Sequence, residues 1–236
     1  IASESGISAE KLRKGSLEDH EWIQLQQKIT QLSEAPIFID DTPALTIFEL
    51  RAKCRRLCSA KNGVEMIIID YLQLMSAGGS GKGGNREQEI STISRSLKSI
   101  AKELNVPIIA LSQLSRAVET RGGDKRPMLS DLRESGAIEQ DADIVCFIYR
   151  PEYYGFTEWP ESSPGEDPDC KGQGEIIIAK HRNGSLENIR LRFIAHLAKF
   201  TDLDSFGGGF SDDSYPNTSN IISSSMNMEE DEDQPF

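Results

Sequence analysis

Trp22, Leu25, Ile29 and Leu32 recur at helical spacing, and Ser16 followed by Asp19 supplies a start signal, so the pattern predicts a helix running through Leu32. A short apolar run, Ile37 to Ile39, and a turn through Asp41 to Pro43 follow. Thr46 and Glu49 have the spacing of a capping box and open a second helix to about Ala60, with Phe48, Leu50, Cys54, Leu57 and Cys58 set among basic residues. Met66 to Ile69 is a continuous apolar run closed by Asp70, the pattern of a strand buried on both faces. Gly78 to Gly84 reads as a flexible loop. Glu87 to Leu104 then returns to helical spacing through Ile90, Ile93, Leu97, Ile100 and Leu104, and Asn105 is the stop. Ile108 to Leu111 is a second buried strand, ending in Ser112 and Gln113. A polar loop, Thr120 to Arg126, leads to a short helix near Asp131 to Glu139 and a third strand, Asp143 to Tyr149.

Strands separated by helices of ten or more residues predict an α/β fold whose mostly parallel sheet is flanked by helices. Glu175 to Lys180 and Glu187 to Ile194 are instead joined around Asn183-Gly184, a hairpin signal, so an antiparallel hairpin is expected at one sheet edge. After about Asp204 the chain turns to Gly, Ser, Asn and acids with little to bury. One domain is therefore expected over 1–204, followed by a disordered acidic tail over 205–236.

Charge changes the picture of what this chain can bind. The formal net charge of −12 would argue against a nucleic-acid partner if it were spread evenly. Thr201 to Phe236, however, holds nine acids and no Lys or Arg, and Glu152 to Asp169 holds six more acids without a base. The rest of the chain is mildly basic, so whole-chain charge misleads about partners. The four cysteines at 54, 58, 146 and 170 lack paired zinc-site spacing, and Cys54 and Cys58, one helical turn apart, read as small core residues of a protein in a reducing cytoplasm. No apolar run approaches the roughly 20 residues a membrane helix needs. Ile1 is not an initiator Met and Ile1 to Gly6 has no signal-peptide pattern, so the sequence reads as beginning mid-protein.

In open α/β sheets ligands bind beyond the carboxyl ends of the strands, and those ends carry Asp70, Gln113 and Arg150. Nucleotide hydrolases use an Asp in that place to hold Mg²⁺ beside phosphates, although the same pattern describes an ordinary loop-capping Asp. The companion feature would be a phosphate loop, G-x-x-x-x-G-K-[ST]. Gly81-Lys82 fails that pattern, since Gly83 stands where Ser or Thr is required and Ser76 where the first Gly belongs. An ATPase reading must place that loop before Ile1.

Four longer strings sharpen the reading: Ile67-Ile68-Ile69-Asp70-Tyr71-Leu72-Gln73-Leu74-Met75; Leu111-Ser112-Gln113-Leu114-Ser115-Arg116; Lys125-Arg126-Pro127 with Ser130 through Gly136 and Ile138 through Asp143; and Ile176 through Gly184. Together, and in this order, they resemble the bacterial replicative DNA helicases of the DnaB family. The resemblance covers about residues 1 to 201 and implies a RecA-type motor domain from just after its phosphate loop, with the catalytic Glu also upstream. By that resemblance Asp70 orders Mg²⁺ and Gln113 is a polar sensor of the γ-phosphate. Lys180 and Arg182, two apart on a strand and so on one face, reach the neighbouring subunit's ATP, with Arg182 as the finger that stabilises phosphoryl charge. Arg133, Glu134 and Gly136 line a central channel and hold the single-strand backbone.

The resemblance further implies ATP and Mg²⁺ as cofactors and single-stranded DNA, sibling subunits of a homo-hexamer, a primase and a helicase loader as partners, with 5'-3' movement in the cytoplasm and no membrane. The alternative is a truncated chain without ATPase competence, acting at most as a DNA-binding or ring-poisoning module. Glu152 to Cys170 reads as a surface loop longer than the family usually has, and Asp233-Gln234-Pro235-Phe236 is similar to the ends of single-strand-binding proteins.

Overall fold

The computed structural model describes residues 1–60, 63–78, 86–132, 136–160 and 168–203. The expected loop beyond Gly78, Arg133 and Glu134 of the expected channel lining, and the tail expected over 205–236 lie outside the described residues.

The chain opens with helices α1 (Ala2–Ser5), α2 (Ala9–Lys14) and α3 (Asp19–Glu34). The start of α3 differs from the Ser16 expectation: Glu18 is the N-cap, and its backbone N–H donates to the Glu21 carboxylate at 2.9 Å. Only Leu25 of the expected apolar stripe is buried, while Trp22 and Ile29 stay exposed. The helix is held largely by polar ties to the first turn, with Gln24 donating to the Ser5 carbonyl at 2.6 Å and Lys28 paired with Glu4 at 3.2 Å. Ile37 to Ile39 forms no strand and is solvent-exposed.

The expected Thr46–Glu49 capping box is present and opens α4 (Ile47–Cys58), which buries Ile47, Leu50 and Cys54. Strand β1 (Ile67–Ile69), helix α5 (Arg86–Leu104) and strand β2 (Ile108–Ala110) make one crossover unit, and β1 pairs with β2 in parallel, Ile67 opposite Ile108 and Ile69 opposite Ala110. Helices α4 and α5 cover one face of this pair, where Ile69, Leu72, Met75, Ile90, Ile93 and Ile100 share a core. Burying an aliphatic side chain of this kind contributes about 1.5–3 kcal/mol. The expectation that the strand is buried on both faces fails: Ile68 is 64% exposed and Ile109 46% exposed. A continuous apolar run promises two covered faces, but among the described residues only one is covered.

Short helices α6 (Ala117–Thr120) and α7 (Gly136–Asp141) lead into the second sheet. Its strands β3 (Ile144–Tyr149), β4 (Gln173–His181), β5 (Glu187–Ile194) and β6 (Lys199–Thr201) are ordered β3-β4-β5-β6, all antiparallel. The α/β architecture with a parallel pair and the β4–β5 hairpin matches expectation, but the antiparallel part is a four-stranded sheet rather than a hairpin at an edge. The expected short helix near Asp131 to Glu139 is divided into a 3₁₀ turn, Leu129–Asp131, and α7. At the hairpin, a Cβ on Gly184 would sit 1.8 Å from His181 Nδ1, so a larger residue there would need the His181 ring to move.

The stretch from Glu152 to Cys170 is more than a surface loop. Trp159 and Cys170 are buried in the core of the second sheet with Val145, Phe147, Tyr149 and Ile177. Trp159 Nε1 donates to Gln173 Oε1 at 3.0 Å, and the Arg190 guanidinium lies 4.6 Å from its ring centre. Residues 161–167 lie outside the described residues. No helix among the described residues is long and apolar enough to cross a membrane.

Candidate functional site

Parallel pairing of β1 with β2 brings Asp70 and the Ser112-Gln113 segment to the same end of the pair. The ladder runs on past the strands: Leu111 N–H donates to Ile69 O and Leu72 N–H donates to Leu111 O, each at 2.9 Å. Gln73, on the 3₁₀ turn Leu72–Leu74, then ties the two segments together. Its Nε2 donates to Ser112 Oγ at 3.0 Å and to the Gln113 carbonyl at 3.4 Å, while its Oε1 accepts from the Gln113 N–H at 3.2 Å. The Gln73 carbonyl is held in turn by Arg86 Nη2 at 2.7 Å. Arg86 also pairs with Glu89, whose carboxyl is held below its ordinary range first by the Ala77 N–H and then by Arg86.

Asp70 and the Gln113 side chain both face solvent at this end. The Asp70 carboxylate makes no hydrogen bond or ion pair to the described residues. A free carboxylate fits Mg²⁺, a hard ion that characteristically takes one or two protein carboxylates and leaves its other positions to water and phosphate. No group of three His, Cys, Asp or Glu able to hold a metal occurs among the described residues.

A second cluster forms where β4 ends. Lys180 Nζ donates to the carbonyls of Glu139, of Ala142 at 2.9 Å and, at 3.4 Å, of Gln140. Arg182 Nη2 donates to the same Gln140 carbonyl at 3.1 Å, its Nη1 lies 3.1 Å from Asp143 Oδ1, and its backbone N–H donates to the Asp143 carbonyl at 2.8 Å. Both cations thus sit on the carbonyl end of α7, where unpaired carbonyls and the helix dipole favour positive charge. Lys98 of α5 takes the other Asp143 oxygen, Oδ2. Lys98, and after it Arg182, hold the Asp143 carboxyl below its ordinary range. Gly136 begins α7 and is exposed, and a Cβ there would meet nothing within 4 Å. No hydrogen bond or ion pair joins this cluster to the Asp70–Gln113 group among the described residues.

Two further motif residues, Arg126 and Asp131, are tied into the fold by ion pairs. Arg126 pairs with buried Glu175 at 2.7 Å and lies 5.6 Å from the Tyr149 ring centre, and the Tyr149 hydroxyl donates to the Asp124 carbonyl. Burial pushes the Tyr149 hydroxyl pKa up. Arg121 pairs with buried Asp131. Arg150, the third strand-end candidate, lies with its guanidinium 3.9 Å from the Phe193 ring centre. Two residues that spacing alone does not single out, Gln73 and Asp143, hold the candidates in place. Both were visible only as letters within the motif strings, because their work is hydrogen bonding across elements.

Residues 1–202 match the family described as the DnaB-like helicase C terminal domain. The chain belongs to this family. It is 51% identical over 204 residues to the replicative DNA helicase DnaB of Geobacillus stearothermophilus, covering 86% of this chain and 42% of that protein. It is 50% identical over 204 residues to the replicative DNA helicase DnaC of Bacillus subtilis, with the same coverage, so the chain spans less than half the length of these relatives. Among solved structures it is similar to a DnaB-like replicative helicase studied with its primase interactions, at 39% identity and TM-score 0.74 over 86% of this chain and 46% of that one. It is also similar to a second solved chain, an ATPase domain, at 38% identity and TM-score 0.73 over 86% of this chain and 68% of that one. All four motif strings fall inside the DnaB-like region, and the acidic tail lies beyond it.

Proposed function

We propose that this chain is the carboxyl-terminal part of the motor of a hexameric replicative helicase, which uses ATP and Mg²⁺ to move 5'-3' along single-stranded DNA in the cytoplasm. The observation that carries the reading is the placing of Asp70 and Gln113 at the same end of one parallel strand pair, where Gln73, three residues after Asp70, bonds to Ser112 and to the Gln113 backbone. Mg²⁺, when bound, would neutralise charge on the phosphates. Asp70 is the residue that would hold it. Gln113 presents an amide to the γ-phosphate, and its backbone, held by Gln73, passes that contact to the segment after Asp70. Arg182 offers a planar fork to the nucleotide of the next subunit, with Lys180 beside it as a point charge. Arg133, Glu134 and Gly136 precede or begin α7 and hold the DNA backbone. A primase and a loader are its partners, as primase is for the solved DnaB-like neighbour.

The test uses the full-length protein that contains this chain. Arg182→Ala should abolish ATP hydrolysis while sparing ATP binding, since a finger acts on charge that develops during transfer. Mixing those subunits with subunits lacking the phosphate-loop Lys should restore partial hydrolysis, because some interfaces then carry both an intact loop and an intact finger. A monomer whose hydrolysis depends on Arg182 would refute trans action.

A further inference from the structure

The Arg182 guanidinium is not simply extended from the end of β4. Its Nη1 lies 3.1 Å from Asp143 Oδ1, its Nη2 donates to the Gln140 carbonyl at 3.1 Å, and its backbone N–H donates to the Asp143 carbonyl at 2.8 Å. Asp143 is fixed from the other side, because Lys98 on α5 takes Oδ2. Each carboxylate oxygen therefore has its own cation. Arg has five N–H donors, so a guanidinium held through two of them keeps others to offer a phosphate. Lys180 differs: its three donors meet three carbonyls of the α7 end, so it is committed to that end while Arg182 is not.

We infer that Asp143 is a positioning residue for Arg182: backed by Lys98, it fixes the guanidinium against the end of α7 so that the remaining N–H groups are aimed before a neighbour's nucleotide arrives. The inference rests on the proposed finger role of Arg182 and adds to it the device that aims the finger. A long, half-exposed Arg has many rotamers, and a finger that must be found among them reaches the transferring phosphoryl group less often. Misplacement by about 1 Å can cost as much as 100-fold in rate. The side-chain ion pairs of Asp143 are with Lys98 and Arg182, so its loss should act through the placing of Arg182. Because Asp143 directly follows the α7 end that Lys180 and Arg182 cap, the finger and the helix that begins at Gly136 are held as one local unit.

The test compares Asp143→Ala, Asp143→Asn, Lys98→Ala and Arg182→Ala in the full-length protein, with ATP turnover measured at saturating single-stranded DNA. Asp143→Ala should lower kcat by about 10- to 100-fold with KM for ATP little changed. Asp143→Asn, which keeps a neutral acceptor, should fall less, and Lys98→Ala should resemble Asp143→Asn. In mixed rings the Asp143→Ala defect should follow the subunit that donates the finger, not the one that holds the nucleotide, which a general loss of stability would not do. Should the Asp143→Ala ring fail to assemble, Lys98→Ala carries the same comparison from a different helix. If Arg182→Ala is inactive while Asp143→Ala and Lys98→Ala turn over at or above the wild-type rate, or if in mixed rings the Asp143→Ala defect follows the subunit that holds the nucleotide, the positioning role is overturned. If Arg182→Ala itself is fully active, the finger reading is what fails.

Discussion

Replacing Gln73 by Ala tests how the candidate sensor is held. The substitution removes a donor to Ser112 Oγ at 3.0 Å, an acceptor for the Gln113 N–H at 3.2 Å and a longer contact to the Gln113 carbonyl at 3.4 Å. A net hydrogen bond contributes about 0.5–1.5 kcal/mol. Two well-formed bonds at a half-buried site, with the long one discounted, amount to about 1–2 kcal/mol, a factor of roughly 5–30 in a local equilibrium. The amide of Gln113 should therefore lose protection by about that factor in Gln73→Ala, read by hydrogen exchange on the full-length protein. Gln73→Glu is the control, because a carboxylate still accepts from the Gln113 N–H and from the Ser112 hydroxyl, losing only the long bond while repelling the Gln113 carbonyl. It should lose less protection than Ala. If exchange at Gln113 is the same in Gln73→Ala as in the wild type, the bridge contributes nothing and the account of how Gln113 is held is wrong.

Trp159→Ala should destabilise the protein by about 3–5 kcal/mol, the cost of emptying a buried aromatic site, visible as a lowered denaturant midpoint; a loss under about 1 kcal/mol would return residues 152–170 to the status of a surface loop. Arg133→Ala in the full-length protein should weaken single-strand binding alike on all sequences and reduce its salt slope by about one phosphate contact, whereas a sequence-selective loss would contradict a backbone role. Asp40, held at a pKa of about 2 by Lys53 and Thr42 against an ordinary 3.8, contributes stability that is present above pH 3.8 and lost as pH falls through about 2. Denaturant titrations of Asp40→Asn should accordingly lack the part of the acid loss that the wild type shows in that window.

Much of the fold was legible because local signals agreed with the tertiary outcome. The Thr46–Glu49 box starts α4, the Ile90 to Ile100 stripe is the buried face of α5, and Asn183-Gly184 marks the β4–β5 turn. What could not be read locally depended on partners. Met66 to Ile69 has the composition of a doubly covered strand, yet burial is a property of what packs on it, and none of the described residues covers Ile68. Glu152 to Cys170 has a loop's Pro and acid content, and its buried anchor, Trp159, is a single residue with no period to announce it. The Ser16 start failed because Glu18, two residues later, is the N-cap, with its backbone N–H taken by the Glu21 carboxylate. The candidate site was read through motif strings rather than spacing. Asp70 and Gln113 follow from strand ends, whereas Gln73 and Asp143 act through contacts 40 or so residues away in sequence and leave no local mark.

The two sheets also differ in how soon they can form. In the hairpin, Ile178 meets Glu187 across one short turn, whereas Ile67 meets Ile108 only after the whole of α5 has been laid between them. Closing the longer segment costs more chain entropy before any strand contact rewards it, and parallel pairs are slow for that reason. The hairpin is thus the natural place for sheet growth to begin, with the Asp70–Gln113 end assembled late. Pulse-labelled exchange during refolding of the full-length protein should protect the amides of Ile176 to Ile178 before those of Ile67 to Ile69, so the Asp70–Gln113 end should mature after the hairpin.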